Sequence, residues 1–299
     1  MKIIVTGSLG NISKPLTKQL TGEGHAVTVV SSDAGKQQEI EHMGARAAIG
    51  SIEDVAFLTS TFTGADAVYC MLPGRRNFSD PDFDLIAYSN SMVSNYVQAI
   101  KQSGVKRIVY LSSVGAHTNV NNGILVFHYN AEQIMNTLPA DVAITFMRPV
   151  GFYYNLLAFI NGIKTQGVIA SNYGGDDVVP WVSVLDIAAA VAEDIQKPFT
   201  GRSIRYIASE EISCNNVARI LGAAIDKPDL KWITITSEQL LNGMLAAGVG
   251  SNLAKGLVEM NAVIHDGSIY ADYYRNRPTL GKVKIQDYAA EFAAAYNQK

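Results

Sequence analysis

The chain has 299 residues, enough for one large hydrophobic core or for one core with a smaller second domain. Its 24 basic and 27 acidic residues give a net charge of -3 without any basic run, so we expect no nucleic-acid partner. Its 2 cysteines lie far apart, and no Cys, His or acidic residues have metal-ligand spacing, so we expect neither a disulfide framework nor a metal site.

The first residues, MKIIVTG, enter an apolar strand and have none of the features of a signal peptide. No stretch approaches the ~20 apolar residues that span a bilayer. The sequence therefore predicts a cytoplasmic protein without a membrane partner, and it leaves the oligomeric state open.

Short apolar runs alternate with helix-length segments over the first half of the chain. They are KIIVTG, AVTVV, ARAAIG, ADAVYCM, RIVYLSS and AITFMRP. This alternation is typical of right-handed βαβ units, and the apolar strands indicate helices on both faces of the sheet. We predict an α/β fold, with a Rossmann-type doubly wound parallel sheet in a domain of residues 1–150.

Beyond Pro149 the alternation stops. Loop glycines are followed by an amphipathic helix near Asp186, by the strand SIRYIAS, and then by mostly helical patterns. We predict a smaller, mostly helical C-terminal cap domain that binds the substrate. It comprises residues 151–177 and 209–299, while residues 178–208 return to the first domain.

The segment VTGSLGNISKPL places a glycine turn between the first strand and a helix. Backbone N–H groups and the positive end of the helix dipole favour a pyrophosphate at such a place. Ser13 replaces the usual third glycine, whose role is mainly packing, so a small residue suffices there. We predict a dinucleotide site formed by Gly7, Leu9, Gly10, Asn11 and Ile12.

The end of the second strand discriminates between NAD and NADP, because a carboxylate there binds the ribose 2′-OH and repels a 2′-phosphate. Ser31 falls at that place, and Ser32 follows it. Lys36 or Lys14 would supply positive charge, whereas the nearby Asp33 opposes it. We predict NADP as the cofactor, with NAD as the alternative.

Further cofactor contacts are expected at the carboxyl ends of the other strands, where ligands of open α/β sheets bind. The alternative is that these residues merely end their strands. The expected contacts are Ser51, Ile52, Met71, Leu72, Pro73, Ser112, Ser113, Val114, Pro149, Val150 and Phe152.

Several segments carry a family resemblance. The glycine turn, YLSSVG, MRPVGFYYNLL, PWVSVLDIAAAVAEDI and GVGSNLAKGLVEMNAVIHDGSIY resemble the NmrA-like branch of the atypical short-chain dehydrogenases, and within it the NAD(P)H-dependent quinone oxidoreductases. The resemblance implies hydride transfer from NADPH to a quinone or similar electron-poor aromatic. It also implies a rival, a redox sensor that binds the dinucleotide without turnover. Reduction of azo or nitro compounds is a third interpretation.

The larger superfamily uses Tyr-x-x-x-Lys, in which the lysine lowers the pKa of the tyrosine. Here Tyr129 is followed by Gln133 instead of lysine, so the usual tyrosine mechanism is not expected. The resemblance places a histidine and a glutamate at His128 and Glu132, which share a helix face, so that Glu132 would orient or charge the imidazole. The alternative is an ordinary helix-stabilising pair. The catalytic candidates are therefore His128 and Tyr129.

Aromatic residues follow the last predicted sheet strand and would suit a flat acceptor. The predicted substrate-binding residues are Phe152, Tyr153, Asn155 and Trp181. Core packing is the alternative for each aromatic ring.

Overall fold

The computed structural model describes residues 1–72, 80, 83–198 and 200–298. Its strands are, in chain order, β1 (Lys2–Val5), β2 (Ala26–Ser31), β3 (Arg46–Ile49), β4 (Ala67–Cys70), β5 (Arg107–Leu111), β6 (Ala143–Pro149), β7 (Gly151–Phe152), β8 (Val168–Ser171), β9 (Val178–Val182), β10 (Arg202–Ile207), β11 (Glu210–Ser213) and β12 (Lys231–Thr234).

The α-helices of the described residues are α1 (Ser13–Gly22), α2 (Gln37–His42), α3 (Val55–Phe62), α4 (Leu85–Ser103), α5 (Val126–Met135), α6 (Ile160–Gln166), α7 (Val184–Gln196), α8 (Cys214–Ala224), α9 (Ser237–Ala246), α10 (Ser251–His265), α11 (Ala271–Arg275) and α12 (Ile285–Asn297). Short 3₁₀ helices occupy Ala34–Lys36, Gly123–Leu125, Tyr153–Phe159 and Ser268–Tyr270. Within the described ranges, no helix is both long and apolar enough to cross a membrane.

The main sheet has 7 parallel strands in the order β10-β6-β5-β4-β1-β2-β3. This confirms the predicted doubly wound α/β fold, and all six predicted strands of the first half of the chain are present. The strand order reverses between β1 and β4, which opens a crevice at their carboxyl ends. A ligand site is expected at that edge.

Both faces of the main sheet are buried, as its apolar strands predict. In β1, Ile3 and Val5 point to one hydrophobic cluster and Ile4 points to the other. After the glycine turn, Leu16 and Leu20 of α1 pack against the first cluster. This packing fixes the start of α1 against the end of β1.

The C-terminal half adds two small sheets, with the orders β11-β9-β7 and β12-β8. Within the segment predicted to return to the first domain, β10 pairs with β6 and α7 packs against α1. The strand β9 instead pairs with β7 and β11. The hydrophobic cluster on the α1 face continues from Ile3 in β1 to Phe292 in α12.

Candidate functional site

The glycine turn between β1 and α1 is a tight loop built on Gly7. Gly7 has φ +91°, and a Cβ there would lie 2.3 Å from Met71 Sδ. The Gly10 N–H donates to the Gly7 carbonyl at 3.1 Å, and Gly10 accepts from Lys14 N–H at 2.9 Å. Both the positive φ and the close approach of Met71 require glycine at this position.

Three backbone donors of the loop point to an anion site. Among the described residues, none accepts a hydrogen bond from the N–H of Leu9, Asn11 or Ile12. These donors lie just before Ser13, the first residue of α1. The loop therefore fits the pyrophosphate of a dinucleotide, which helix N-termini of this kind bind.

Ser13 explains how the loop tolerates the loss of its third glycine. Its side chain is buried, and its hydroxyl donates to the Thr6 carbonyl at 2.8 Å. The hydroxyl thus fastens the helix start to the end of β1. Pro15 lies in the first helical turn, where its missing N–H removes no helix hydrogen bond.

The hydroxyl of Ser31 at the end of β2 is used inside the protein. It accepts from the Ser8 hydroxyl at 2.9 Å, and Ser31 is 2% exposed. It also donates to the Asp33 carbonyl at 3.2 Å. The Ser31 hydroxyl thus joins the glycine loop to β2, and its predicted contact with a 2′-phosphate stays a prediction. Ser32 is exposed.

The two lysines predicted near the 2′ position share one partner. Lys14 donates to Glu39 Oε1 at 2.7 Å, and Lys36 donates to Glu39 Oε2 at 3.1 Å. These hydrogen bonds lower the pKa of the Glu39 carboxyl. The cluster carries a formal charge of +1 at neutral pH.

The end of β4 contributes Met71 and Leu72 to the same edge. The Met71 N–H donates to Thr6 Oγ1 at 3.0 Å, and the Met71 carbonyl accepts from the Tyr96 hydroxyl at 2.8 Å. Leu72 is half-buried, and Pro73 lies outside the described residues. The side chain of Met71 thus forms one wall beside Gly7.

The ends of β3, β5 and β6 mainly bond to protein groups. Val114 N–H donates to Pro149 O at 2.9 Å, and Val150 N–H donates to Ile207 O at 3.1 Å. Because both valines are also buried, this favours the strand-ending alternative for these three residues. The remaining predicted contacts at these ends, all half-buried, are Ser51, Ile52, Ser113 and Phe152.

The carboxylate of Glu132 on α5 binds Arg148 and Ser112. Arg148 Nε and Nη2 donate to it at 2.9 Å and 2.6 Å, and the Ser112 hydroxyl donates at 2.5 Å. The predicted pairing of Glu132 with His128 is therefore wrong, because both carboxylate oxygens are occupied by other donors. The Ser112 hydroxyl bonds to Glu132 in this structure, and its predicted contact with a cofactor stays a prediction.

This buried cluster also reaches the C-terminal region. Arg148 Nη1 donates to the Tyr206 hydroxyl at 3.1 Å and to Asp272 Oδ2 at 3.3 Å, and Tyr206 donates to Asp272 at 2.6 Å. Asp272 belongs to α11. The cluster thereby ties α5, β6, β10 and α11 together beneath the carboxyl edge of the sheet.

His128 is a neutral imidazole in this structure. Its Nδ1 is buried and has no hydrogen-bond partner among the described residues, and its ring lies 4.0 Å from that of Phe127, centroid to centroid. Burial lowers the pKa of His128 to about 3. Tyr129, the next residue, is half-buried, and Gln133 is exposed.

The sequence analysis missed His117, which lies in the loop that follows β5. Its Nδ1 is also buried without a partner in the described part of the chain. Burial lowers its pKa, and the nearby Asp272 acts in the opposite direction. The signal was available, since this histidine follows a predicted strand end in SSVGAHT.

Two of the predicted substrate-binding aromatics belong to the core. Tyr153 and Trp181 are 1% and 3% exposed, and their rings stack at 6.5 Å. Tyr153 also stacks on Tyr288 of α12 at 5.5 Å. This favours the core-packing alternative for these two residues, and their part in substrate binding stays a prediction. Phe152 is half-buried and Asn155 is exposed.

A cavity of about 460 Å³ opens between α4, the segment 123–126 and α10. The helix α4 follows β4 and the segment 123–126 follows β5, so the cavity lies toward the carboxyl edge of the sheet. Its apolar walls include Phe83, Leu85, Ile86, Ile124, Val126 and Leu253, and its charged residues are Asp80, Asp84, Lys255 and Glu259.

A glycine contact sets the position of α10 at this cavity. A Cβ on Gly123 would lie 2.4 Å from the Gly256 carbonyl, and a Cβ on Gly256 would lie 3.2 Å from Ile124 Cβ. Larger residues would separate α10 from the segment 123–126. The sequence analysis did not identify this cavity, since its walls come from segments far apart in the chain.

Together, the parallel sheet, the glycine loop and the free backbone donors define a dinucleotide-binding protein. A family model described as NAD(P)H-binding matches residues 7–198, and the chain belongs to that family. This confirms the predicted nicotinamide dinucleotide. Among the described residues, no cluster of His, Cys, Asp or Glu is arranged to hold a metal ion.

Two characterised relatives are reductases. An NAD(P)H azoreductase of Xenophilus azovorans is 25% identical over 87% of this chain and 86% of its own. A (4-alkanoyl-5-oxo-2,5-dihydrofuran-3-yl)methyl phosphate reductase of Streptomyces griseus is 25% identical over 76% of this chain and 74% of its own.

Solved structures share the fold. An NADPH-dependent quinone oxidoreductase from Escherichia coli, complexed with NADPH, has a TM-score of 0.79 at 18% identity, covering 97% of this chain and 99% of that one. A triphenylmethane reductase from Citrobacter has a TM-score of 0.72 at 20% identity, covering 97% and 99%. The NAD(P)H-binding family and these shared folds are consistent with the expected resemblance to NmrA-like short-chain dehydrogenases. The family and these relatives support an NAD(P)H-dependent oxidoreductase.

Proposed function

We propose that this protein transfers hydride from NADPH to a quinone or a similar flat, electron-poor aromatic acceptor. The observation that carries the proposal is the largely apolar cavity toward the carboxyl edge of the sheet, the edge that also holds the glycine loop. Its volume of about 460 Å³ suits a small ring system. The reductase relatives support the same reaction class.

Reduction of a quinone to a hydroquinone requires one hydride and one proton. The bound nicotinamide supplies the hydride, with its two electrons. The residues of this chain bind and orient the reactants: the glycine loop holds the pyrophosphate, and the walls formed by α4 and α10 hold the acceptor flat. Positioning supplies most of the catalysis in such a reaction, since the acceptor ring itself withdraws electrons.

The proton requirement favours a quinone over an alcohol or a sugar. Gln133 cannot assist Tyr129 as a lysine would, and His128 is uncharged at neutral pH. A neutral imidazole or phenol still donates a hydrogen bond to a developing oxyanion. We propose this role for His128 or Tyr129, with water completing the protonation, and His117 is the rival donor.

The charged residues of the cavity favour some acceptors over others. Among the described residues that line the cavity, Asp84 and Glu259 carry negative charge and Lys255 carries positive charge. An excess of carboxylates favours uncharged or cationic acceptors over sulfonated ones. We therefore expect an uncharged quinone to be a better acceptor than an anionic azo dye.

The test measures NADPH and NADH oxidation against neutral naphthoquinones, the same rings carrying a quaternary ammonium or a sulfonate group, azo dyes and aldehydes. We expect turnover of the neutral and cationic quinones and little with aldehydes. Tight NADPH binding without turnover of any acceptor would contradict the enzyme and favour the dinucleotide-binding redox sensor.

The same assay assigns the proton donor. His128→Gln, Tyr129→Phe and His117→Gln are compared for kcat at saturating NADPH. The donor's variant should slow turnover with little change in NADPH affinity. A kcat equal to that of the wild type in all three variants would mean that water alone supplies the proton.

A further inference from the structure

Two lysines from different elements meet on one carboxylate at the edge where β2 ends. Lys14 belongs to the first turn of α1, and Lys36 ends the 3₁₀ helix that follows β2. They bind opposite oxygens of Glu39, at 2.7 Å and 3.1 Å. All three side chains are open to solvent, with 55%, 44% and 39% exposure.

The position of this cluster relates it to the cofactor. In doubly wound sheets the ribose 2′ position lies at the end of the second strand. Here that strand end, Ser31, is bonded to Ser8 of the glycine loop at 2.9 Å, which brings the two loops together. Among the described residues, Lys14 and Lys36 are therefore the cations that we assign to the 2′ position.

We propose that Glu39 stands in for the cofactor's 2′-phosphate between Lys14 and Lys36, and thereby sets how strongly the site prefers NADPH over NADH. The inference rests on the proposed cofactor and adds a specificity-determining residue to it. The ligand class is a nucleoside 2′-phosphate monoester. This group is a dianion whose oxygens accept hydrogen bonds from the two lysine ammonium groups. To bind it, the lysines must release Glu39.

The carboxylate therefore has two opposing effects. It holds the lysines close together before the phosphate arrives, and it repels the phosphate once it has arrived. The lysines keep Glu39 ionised by lowering its pKa. Asp33, whose carboxylate accepts from Gly35 N–H at 2.9 Å, adds a further negative charge on the same loop. Repulsion is thus expected to exceed preorganisation.

The test compares 2′,5′-ADP with 5′-AMP, two probes that differ only in the 2′-phosphate, by calorimetry. For Glu39→Gln we expect 2′,5′-ADP to bind about five- to tenfold more tightly, as one unit charge at a few ångströms in a solvated site predicts. The affinity for 5′-AMP should not change. The gain should shrink at high salt because the charges are exposed.

Glu41→Gln is the matched control. Glu41 lies on the same helix and is exposed, but it bonds to Gln37 at 2.9 Å and not to a lysine. It removes the same charge, so it should change 2′,5′-ADP affinity less than twofold. Lys14→Gln and Lys36→Gln should each weaken the binding of 2′,5′-ADP and leave the binding of 5′-AMP unchanged.

Unchanged or weaker 2′,5′-ADP binding by Glu39→Gln would overturn the inference, since Glu39 would then be neutral or helpful to the phosphate. An equal gain with Glu41→Gln would also overturn it, because the effect would be that of net charge alone. These results differ from a failure of the proposed function, in which the wild-type protein binds neither NADPH nor NADH.

Discussion

Glu132 of α5 and Arg148 of β6 form a buried ion pair, with Arg148 Nη2 2.6 Å from Glu132 Oε2. The side chains are 4% and 5% exposed. Removing one partner of such a pair leaves an uncompensated charge in the interior. The pair therefore supports the fold beneath the candidate site and does not take part in proton transfer with His128.

We expect Glu132→Gln to lower the free energy of unfolding by about 3–5 kcal/mol, because Arg148 stays charged and loses its partner. Urea unfolding measures this. The control is Glu193→Gln, since Glu193 pairs with Lys197 and Arg205 at the surface and is 47% exposed. The control should change stability by less than about 1 kcal/mol. Equal losses of unfolding free energy in Glu132→Gln and Glu193→Gln would show that the buried pair contributes no more to stability than a surface pair.

The half-buried His128, whose Nδ1 is buried, predicts a loss of stability in acid. Its pKa is about 3 in the folded protein, against the usual 6.5 when unfolded. Between these values the unfolded chain binds one more proton, so this contribution is complete above pH 6.5 and is lost as the pH falls. From pH 7 to pH 5 the loss is up to about 2 kcal/mol.

The measurement is the difference in unfolding free energy between pH 7 and pH 5 for the wild type and for His128→Gln. The variant should lose less stability than the wild type. An NMR titration of the His128 imidazole with a midpoint near pH 6.5 would contradict the burial argument.

We expect Gly7→Ala to weaken NADPH and NADH alike by at least about tenfold. The residue has φ +91°, and its Cβ would lie 2.3 Å from Met71 Sδ, so the loop must move. The control is Gly24→Ala, where φ is +82° but nothing lies within 4 Å of the new Cβ. It should cost about 1 kcal/mol of stability and leave both affinities unchanged. If Gly24→Ala lost as much dinucleotide affinity as Gly7→Ala, the loss in Gly7→Ala would be explained by backbone strain and not by the contact with Met71.

Trp181 and Phe152, two aromatic residues that follow β6 in the chain, are expected to have different roles. Trp181→Phe should lower stability by roughly 1–3 kcal/mol with unchanged KM for a quinone, because Trp181 lies in the core. Phe152→Leu should raise KM by about two- to tenfold if its half-exposed ring stacks on the acceptor. Steady-state kinetics and thermal unfolding, measured on both variants, test the division. A change in KM in Trp181→Phe but not in Phe152→Leu would place Trp181, and not Phe152, against the acceptor.

The glycine contact predicts control over acceptor size. Gly256→Ala would place a Cβ 3.2 Å from Ile124 and push α10 away from the segment 123–126. We expect KM to change by several-fold for two-ring quinones, and less for one-ring quinones. Gly243→Ala is the control, since this α9 glycine has open space around it and alanine should stabilise the helix by up to about 1 kcal/mol. Identical KM values in both variants would exclude this contact from the acceptor site.

The sequence predicted the parts that local pattern determines. The apolar runs of β1 to β6 are strands because each buries side chains on both faces, and the glycine loop is defined by spacing and by Gly7 itself. These features depend on residues close together in the chain. The fold class and cofactor class followed from them.

The interior of the candidate site was harder to predict from the sequence, because it depends on how elements far apart in the chain pack together. Helical spacing places Glu132 and His128 on one face, but it does not show that Arg148, 16 residues later on β6, lies closer to the carboxylate. Likewise, Trp181 is buried because β9 pairs with β7 and β11, a small sheet that local pattern does not predict. The predicted domain boundary at residue 150 stays a prediction.

The hydrophobic cluster that runs from Ile3 to Phe292 makes the two halves of the chain depend on each other. Elements that share one core open together, so the glycine loop and α12 belong to one cooperative unit. We therefore expect a dinucleotide bound at the glycine loop to slow amide exchange in α12 as well. A fragment ending at residue 150 would expose part of that core to water, so we expect it to bind a dinucleotide poorly or not at all.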